Sequence, residues 1–264
     1  MTTETEVIQM MEALGDFDDL YDEIKNEKMK GENLIKFDTS FNKPNNFKPK
    51  TISFDEVDEY DFSKGFNEFL ISEERVHLYF DFDSIKAEDE YLNVIEWLNV
   101  LSLVFGKYSI GGYCDNKTME AYGFRKFDES GHYLSIHVVF YETSILTKDL
   151  VEIMKHTKAK GYLMNGVNDL CDPNVYKLVS KREGFNSRQV MRHVMSDKIY
   201  RQNDERNKMN HGYILNNLKP STQIIQVRGN EKLISKNEWG RCFKQSADVN
   251  MNANENVNEG EGED

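Results

Sequence analysis

The first thirty residues place apolar side chains at Val7, Met10, Met11, Leu14, Phe17, Leu20, Tyr21 and Ile24, close to a helical period. One or two amphipathic helices are expected there, stopping at Gly31. Between 37 and 62 the period is broken by Pro44, Asn45, Asn46 and Pro49, which predicts irregular chain. A short helix is expected at 64–70, followed by a strand, Val76-His77-Leu78-Tyr79-Phe80-Asp81-Phe82-Asp83. Residues 88–105 carry Tyr91, Ile95, Leu98, Leu101 and Phe105 along one side, which predicts a long helix ended by Gly106. Strands are expected at 107–114, 122–127 and 133–141, with a turn at 115–118 and a hairpin-length loop at 128–132. Thr147 is expected to cap a helix through His156, short strands follow at 175–180 and 189–194, and 200–211 reads as a polar loop. Strand, helix and strand followed by hairpins predict a mixed α/β sheet with no internal repeat. The chain divides into a helical and irregular N-terminal extension (1–62), one core (63–243) and an acidic tail (244–264) expected to be disordered.

Composition narrows the setting. The 264 residues are enough to bury a sizeable core, and no apolar run approaches the roughly 20 residues that span a bilayer. The acidic start, Met1 to Glu6, lacks the basic-then-apolar order of a secretion signal, so a soluble, intracellular protein without a membrane partner is expected. Cys114, Cys171 and Cys242 are widely separated, which suggests isolated thiols instead of a disulfide framework or a zinc module. The net charge is −13 and unevenly spread: residues 1–30 carry −6, 31–175 carry −10, 176–243 carry +8 and 244–264 carry −5. A basic C-terminal third can mark a nucleic-acid face, although an ordinary solvated Lys/Arg surface gives the same count.

The chemistry sits on three short patterns. In the acidic strand, Asp81 and Asp83 are two residues apart and are expected on one face, with Phe80 and Phe82 on the other. Two carboxylates so placed repel each other, and a hard divalent cation such as Mg²⁺ resolves that conflict. In so acidic a chain the pattern is also cheap, and it recurs at Asp16-Phe17-Asp18 in a helical setting. Ser135 and His137 share the face of a later strand, where a hydroxyl and an imidazole suit triphosphate oxygens or, more blandly, a satisfied surface pair. Asp172 precedes Pro173-Asn174-Val175-Tyr176, and Arg188, Arg192 and Lys198 follow. Asp172 suits a third metal ligand or a turn; the cations suit phosphate or a solvated face.

The order of these motifs, Asp-x-Asp, then Ser-x-His, then Asp-x-x-Val-Tyr followed by Arg, Arg and Lys, resembles the archaeo-eukaryotic primase superfamily over roughly residues 75–200. The likeness is to its primase-polymerase and large-DNA-virus branches. It implies two packed α/β lobes with an RRM-like element. It further implies that Asp81, Asp83 and Asp172 hold two Mg²⁺ or Mn²⁺ ions, and that Ser135, His137, Arg188, Arg192 and Lys198 contact a nucleoside triphosphate. The expected function is metal-dependent nucleotidyl transfer that makes or extends primers on a single-stranded DNA template. A metal-dependent nuclease and a catalytically inactive replication accessory are the alternatives. The chain has no Gly-x-x-x-x-Gly-Lys-Ser/Thr phosphate loop, so any helicase would be a separate protein.

Overall fold

The computed structural model describes residues 26, 28, 34–37, 50–62, 65–71, 74–85, 87–114, 134–160, 170–176, 190–196, 213–228 and 231–239. Of the expected N-terminal helices only residues 26 and 28 are described, both helical; the turn at 115–118, the strand at 122–127, the loops at 128–132 and 200–211 and the tail lie outside the described residues.

Among the described residues, two sheets and two long α-helices make a mixed α/β architecture. Strands β1 (Leu34–Phe37), β2 (Lys50–Ile52), β3 (Asn67–Phe69) and β7 (Val190–Arg192) form a four-stranded antiparallel sheet in the order β2-β1-β3-β7. Strands β4 (Arg75–Ile85), β5 (Ser109–Cys114), β6 (Leu134–Leu146) and β8 (Tyr213–Ile214) form a second sheet in the order β4-β6-β5-β8. A further short strand, β9 (Lys232–Leu233), runs parallel to the far end of β6. Helix α1 (Glu88–Phe105) connects β4 to β5, and helix α2 (Thr147–Lys160) follows β6. Because β4 and β5 are each antiparallel to β6, they are parallel to each other with β6 between them, a split strand–helix–strand unit.

Alternation along β4 and β6 explains the layering. Phe80, Phe82, Ile136, Val138 and Phe140 are buried on one face. There Trp97 of α1 meets Phe80 edge-on at 5.0 Å between centroids, and Phe105 meets Phe140 at 6.0 Å. Helix α1 buries Tyr91, Val94, Trp97, Leu98, Leu101 and Phe105, the helical period expected of it. Its backbone ends at Gly106, whose φ of +80° favours glycine. A smaller core gathers Leu34, Ile52, Val57, Phe62, Phe66 and Ile224 beside the first sheet.

Several expectations are corrected. The helix expected at 64–70 is instead β3: Gly65 takes a φ of +83°, and residues 67–69 pair with β1 and β7. An apolar run this short fits either period, so long-range pairing decides it. The stretch 37–62, expected to be irregular, holds β2 and a 3₁₀ helix, Phe54–Glu59. Thr147 begins α2, but its hydroxyl donates to the Glu74 carbonyl at 3.0 Å instead of capping the helix. The strand expected at 175–180 is occupied, as far as it is described, by the end of a 3₁₀ helix, Pro173–Tyr176.

His193 lies fully inside the aromatic cluster, stacked 4.3 Å from Phe62. Its Nε2–H donates to the Pro220 carbonyl at 3.0 Å, and Nδ1 accepts from the Met195 N–H at 3.2 Å, so the ring is neutral. Burial lowers its pKa from 6.5 to about 4. The unfolded chain therefore binds this proton first, and stability is lost as pH falls from 6.5 toward 4. The stability advantage of the wild type over His193→Gln should shrink by about 3 kcal/mol between pH 7.5 and pH 4, measured by urea unfolding.

Candidate active site

The centre of the second sheet brings together residues distant in sequence. Asp81 on β4 is the register partner of His137 on β6, and His137 is the register partner of Gly111 on β5. The side chains of Asp81 and His137 lie on the face opposite the Phe80–Phe82 layer, where Gly111 carries none. Asp81 and His137 are both buried, and His137 Nε2 stands 3.4 Å from Asp81 Oδ1. Ser135, half-buried, lies two residues along β6 on the same face, opposite Tyr113 in register.

Asp172 reaches this row from another part of the chain. Cys171 forms an antiparallel bridge with Phe82, and the Asp172 N–H donates to the Asp81 carbonyl at 2.8 Å. The turn that follows is fastened to the same strand by two tyrosines. The Tyr176 hydroxyl donates to the Tyr79 carbonyl at 2.9 Å, and the Tyr79 hydroxyl donates to the Val175 carbonyl at 3.3 Å. Their rings stack at 5.3 Å, and burial pushes both phenols above their usual pKa, which keeps them neutral donors. The Tyr of Asp-x-x-Val-Tyr is thus an anchor for Asp172.

Asp83 belongs to β4, within a register shift between Phe82 and Ile85 where three steps along β4 oppose two along β6. Such a bulge interrupts the strict alternation of the β4 backbone beyond Phe82. The Asp83 side chain itself lies outside the described residues. Arg192 is on β7, in the other sheet, paired with Asn67 in register and donating from Nη1 to the Ser196 carbonyl. Arg188 and Lys198 lie outside the described residues.

Two features of this centre have no counterpart in the motif reading. Gln223, in the 3₁₀ helix Pro220–Gln223, donates from Nε2 to Ser109 Oγ at 3.0 Å and to the His137 carbonyl at 3.4 Å. It crosses the sheet at Gly111, where an added Cβ would stand 2.4 Å from Val194 Cγ1 and 2.9 Å from Gln223 Oε1. The available signal was Gly111-Gly112 inside a strand, a mark of close backbone approach.

Asp81 and Asp172 offer hard oxygen donors on hydrogen-bonded backbones, the donor chemistry that suits Mg²⁺ or Mn²⁺. Among the described residues no group of three or more His, Cys, Asp or Glu side chains gathers as a metal site, a set from which the Asp83 side chain is missing. Also among the described residues, no helix is long and apolar enough to cross a membrane. Compared with known families and with curated proteins, the chain matches no family model and no curated sequence.

Gly111→Ala should force Val194 and Gln223 away from β5. The expected loss is about 1–3 kcal/mol, the range for an overpacked site, measured by urea or thermal unfolding. An unchanged midpoint would mean that the segment above the sheet yields freely.

Proposed function

We propose that the protein is a metal-dependent nucleotidyltransferase that makes or extends primers on single-stranded DNA. The observation that carries this reading is the convergence of Asp81, His137 and Asp172, from three motifs far apart in sequence, at one point of one sheet. The split strand–helix–strand order of β4, α1, β5 and β6, continued by α2 and the Cys171 bridge, supports an RRM-like element.

In this reading Asp81 and Asp172, with Asp83, would hold two divalent ions, which would supply Lewis acidity and neutralise triphosphate charge. The reaction joins a primer 3′-oxygen to the α-phosphorus of a nucleoside triphosphate, releases pyrophosphate and gives up the hydroxyl proton. His137 would donate a hydrogen bond from Nε2 to a triphosphate oxygen, and Ser135 would add a hydroxyl donor on the same strand face. Arg192, with Arg188 and Lys198, supplies cations for the phosphates. Template follows the basic C-terminal third, so binding weakens as salt rises.

The test is unprimed and primed strand synthesis on single-stranded DNA with Mn²⁺ and labelled nucleotides. Wild type should yield product, and Asp81→Asn, which keeps the side-chain shape, should lower it on the order of 100-fold or more with the fold intact by circular dichroism. Equal synthesis by the variant would remove the metal assignment. Degradation of the labelled DNA without added nucleotides, and no synthesis with them, would replace the reading with a nuclease.

A further inference from the structure

Lys28 precedes β1, and its side chain is only 3 % exposed, a rare setting for a lysine. Its Nζ donates to Glu74 Oε2 at 2.8 Å and to Gln226 Oε1 at 2.6 Å. Gln226 is the joint between the two sheets. Its Oε1 accepts from the Ile35 N–H at 3.2 Å, and its Nε2 donates to the Ile35 carbonyl at 2.9 Å and to Glu68 Oε2 at 3.2 Å. Its backbone bridges Val76 on β4, while the Ile225 carbonyl accepts from the His77 N–H at 2.7 Å.

Glu68 on β3 grips the same segment from the other sheet. Its carboxylate accepts from the Ile225 N–H at 2.9 and 3.1 Å and from the Gln226 N–H at 2.9 Å. We propose that Lys28 is the pin of a buried clasp: acting through Gln226 and Glu68, it holds segment 225–226 on the edge of β4 and so steadies the strand that carries Asp81.

The groups around this carboxylate are Lys28 from before β1, Lys36 as its register partner on β1, and Tyr79 on β4, with Glu74 sharing Lys28. Lys36 is engaged elsewhere, donating to the Tyr60 hydroxyl. Burial pushes the Glu68 carboxyl up to about 7, against the Ile225 and Gln226 N–H donors and the Lys28 charge, which pull it down. A carboxyl whose pKa rises from 4.5 to about 7 on folding keeps its proton longer in the folded chain. The stability it contributes is therefore lost as pH rises through that window, and above it Lys28 is the charge that offsets the buried carboxylate.

The test is amide hydrogen exchange on the full chain, corrected for intrinsic rate, at pH 6 and pH 8. In Lys28→Met, exchange at the His77 and Asp172 amides should rise at least tenfold at pH 8 and by less at pH 6, while the β5 amides stay protected. Lys28→Arg, which keeps the cation, should retain wild-type protection. Unchanged exchange at His77 and Asp172, or an equal rise across β5, would overturn the clasp. Should the methionine variant fail to fold, Glu68→Gln carries the test: wild-type exchange at His77 should rise from pH 6 to pH 8 and the variant's should not, and matching slopes would overturn the proposal. These readouts need no substrate, so a failed clasp leaves the proposed activity standing, and an inactive protein leaves the clasp standing.

Discussion

The outer edge of β4 is the constraint on which the site depends. A buried strand must place every backbone N–H and C=O in a hydrogen bond, and among the described residues β4 has a strand partner, β6, on one side. On its other side two short segments pair with it locally: Ile225–Gln226 at Val76 and His77, and Cys171–Asp172 at Asp81 and Phe82. The second brings Asp172 to Asp81. The hydrogen bond that satisfies a backbone carbonyl thus also sets the backbone of Asp172 beside that of Asp81.

The segment after β8 ties this arrangement to the rest of the molecule. Within four residues, Gln223 reaches Ser109 and the His137 carbonyl, Ile224 enters the smaller core, Ile225 bonds His77 and Glu68, and Gln226 joins β1 to β4. Such a path lies flat on the sheet only where no side chain rises beneath it, as at Gly111. The two sheets are consequently linked through polar contacts as well as through apolar packing.

Buried titratable groups are handled in two ways. His193 is held neutral by a carbonyl and an N–H that match its two nitrogens. Glu68 is surrounded by N–H donors, with a cation one side chain away. A proton exchanged at either place changes the folded and unfolded chains unequally, so stability depends on pH through both groups.

The long, strongly periodic elements were legible in the residues themselves. Helix α1 with its glycine end, the apolar faces of β4 and β6, and the strand of β5 follow from spacing, because burial of one face imposes its period on the chain. The motif residues Asp81, His137 and Asp172 could be singled out by type and order. Their meeting could not, since register across β4 and β6 and the bridge at Cys171 join positions more than fifty and about ninety residues apart along the chain. The bulge that removes Asp83 from simple alternation, the strand identity of 67–69 and the clasp of Lys28, Gln226 and Glu68 were likewise decided by tertiary pairing. Local sequence determines which face of an element is apolar; which backbone edges and buried charges must satisfy one another is settled only when the elements meet.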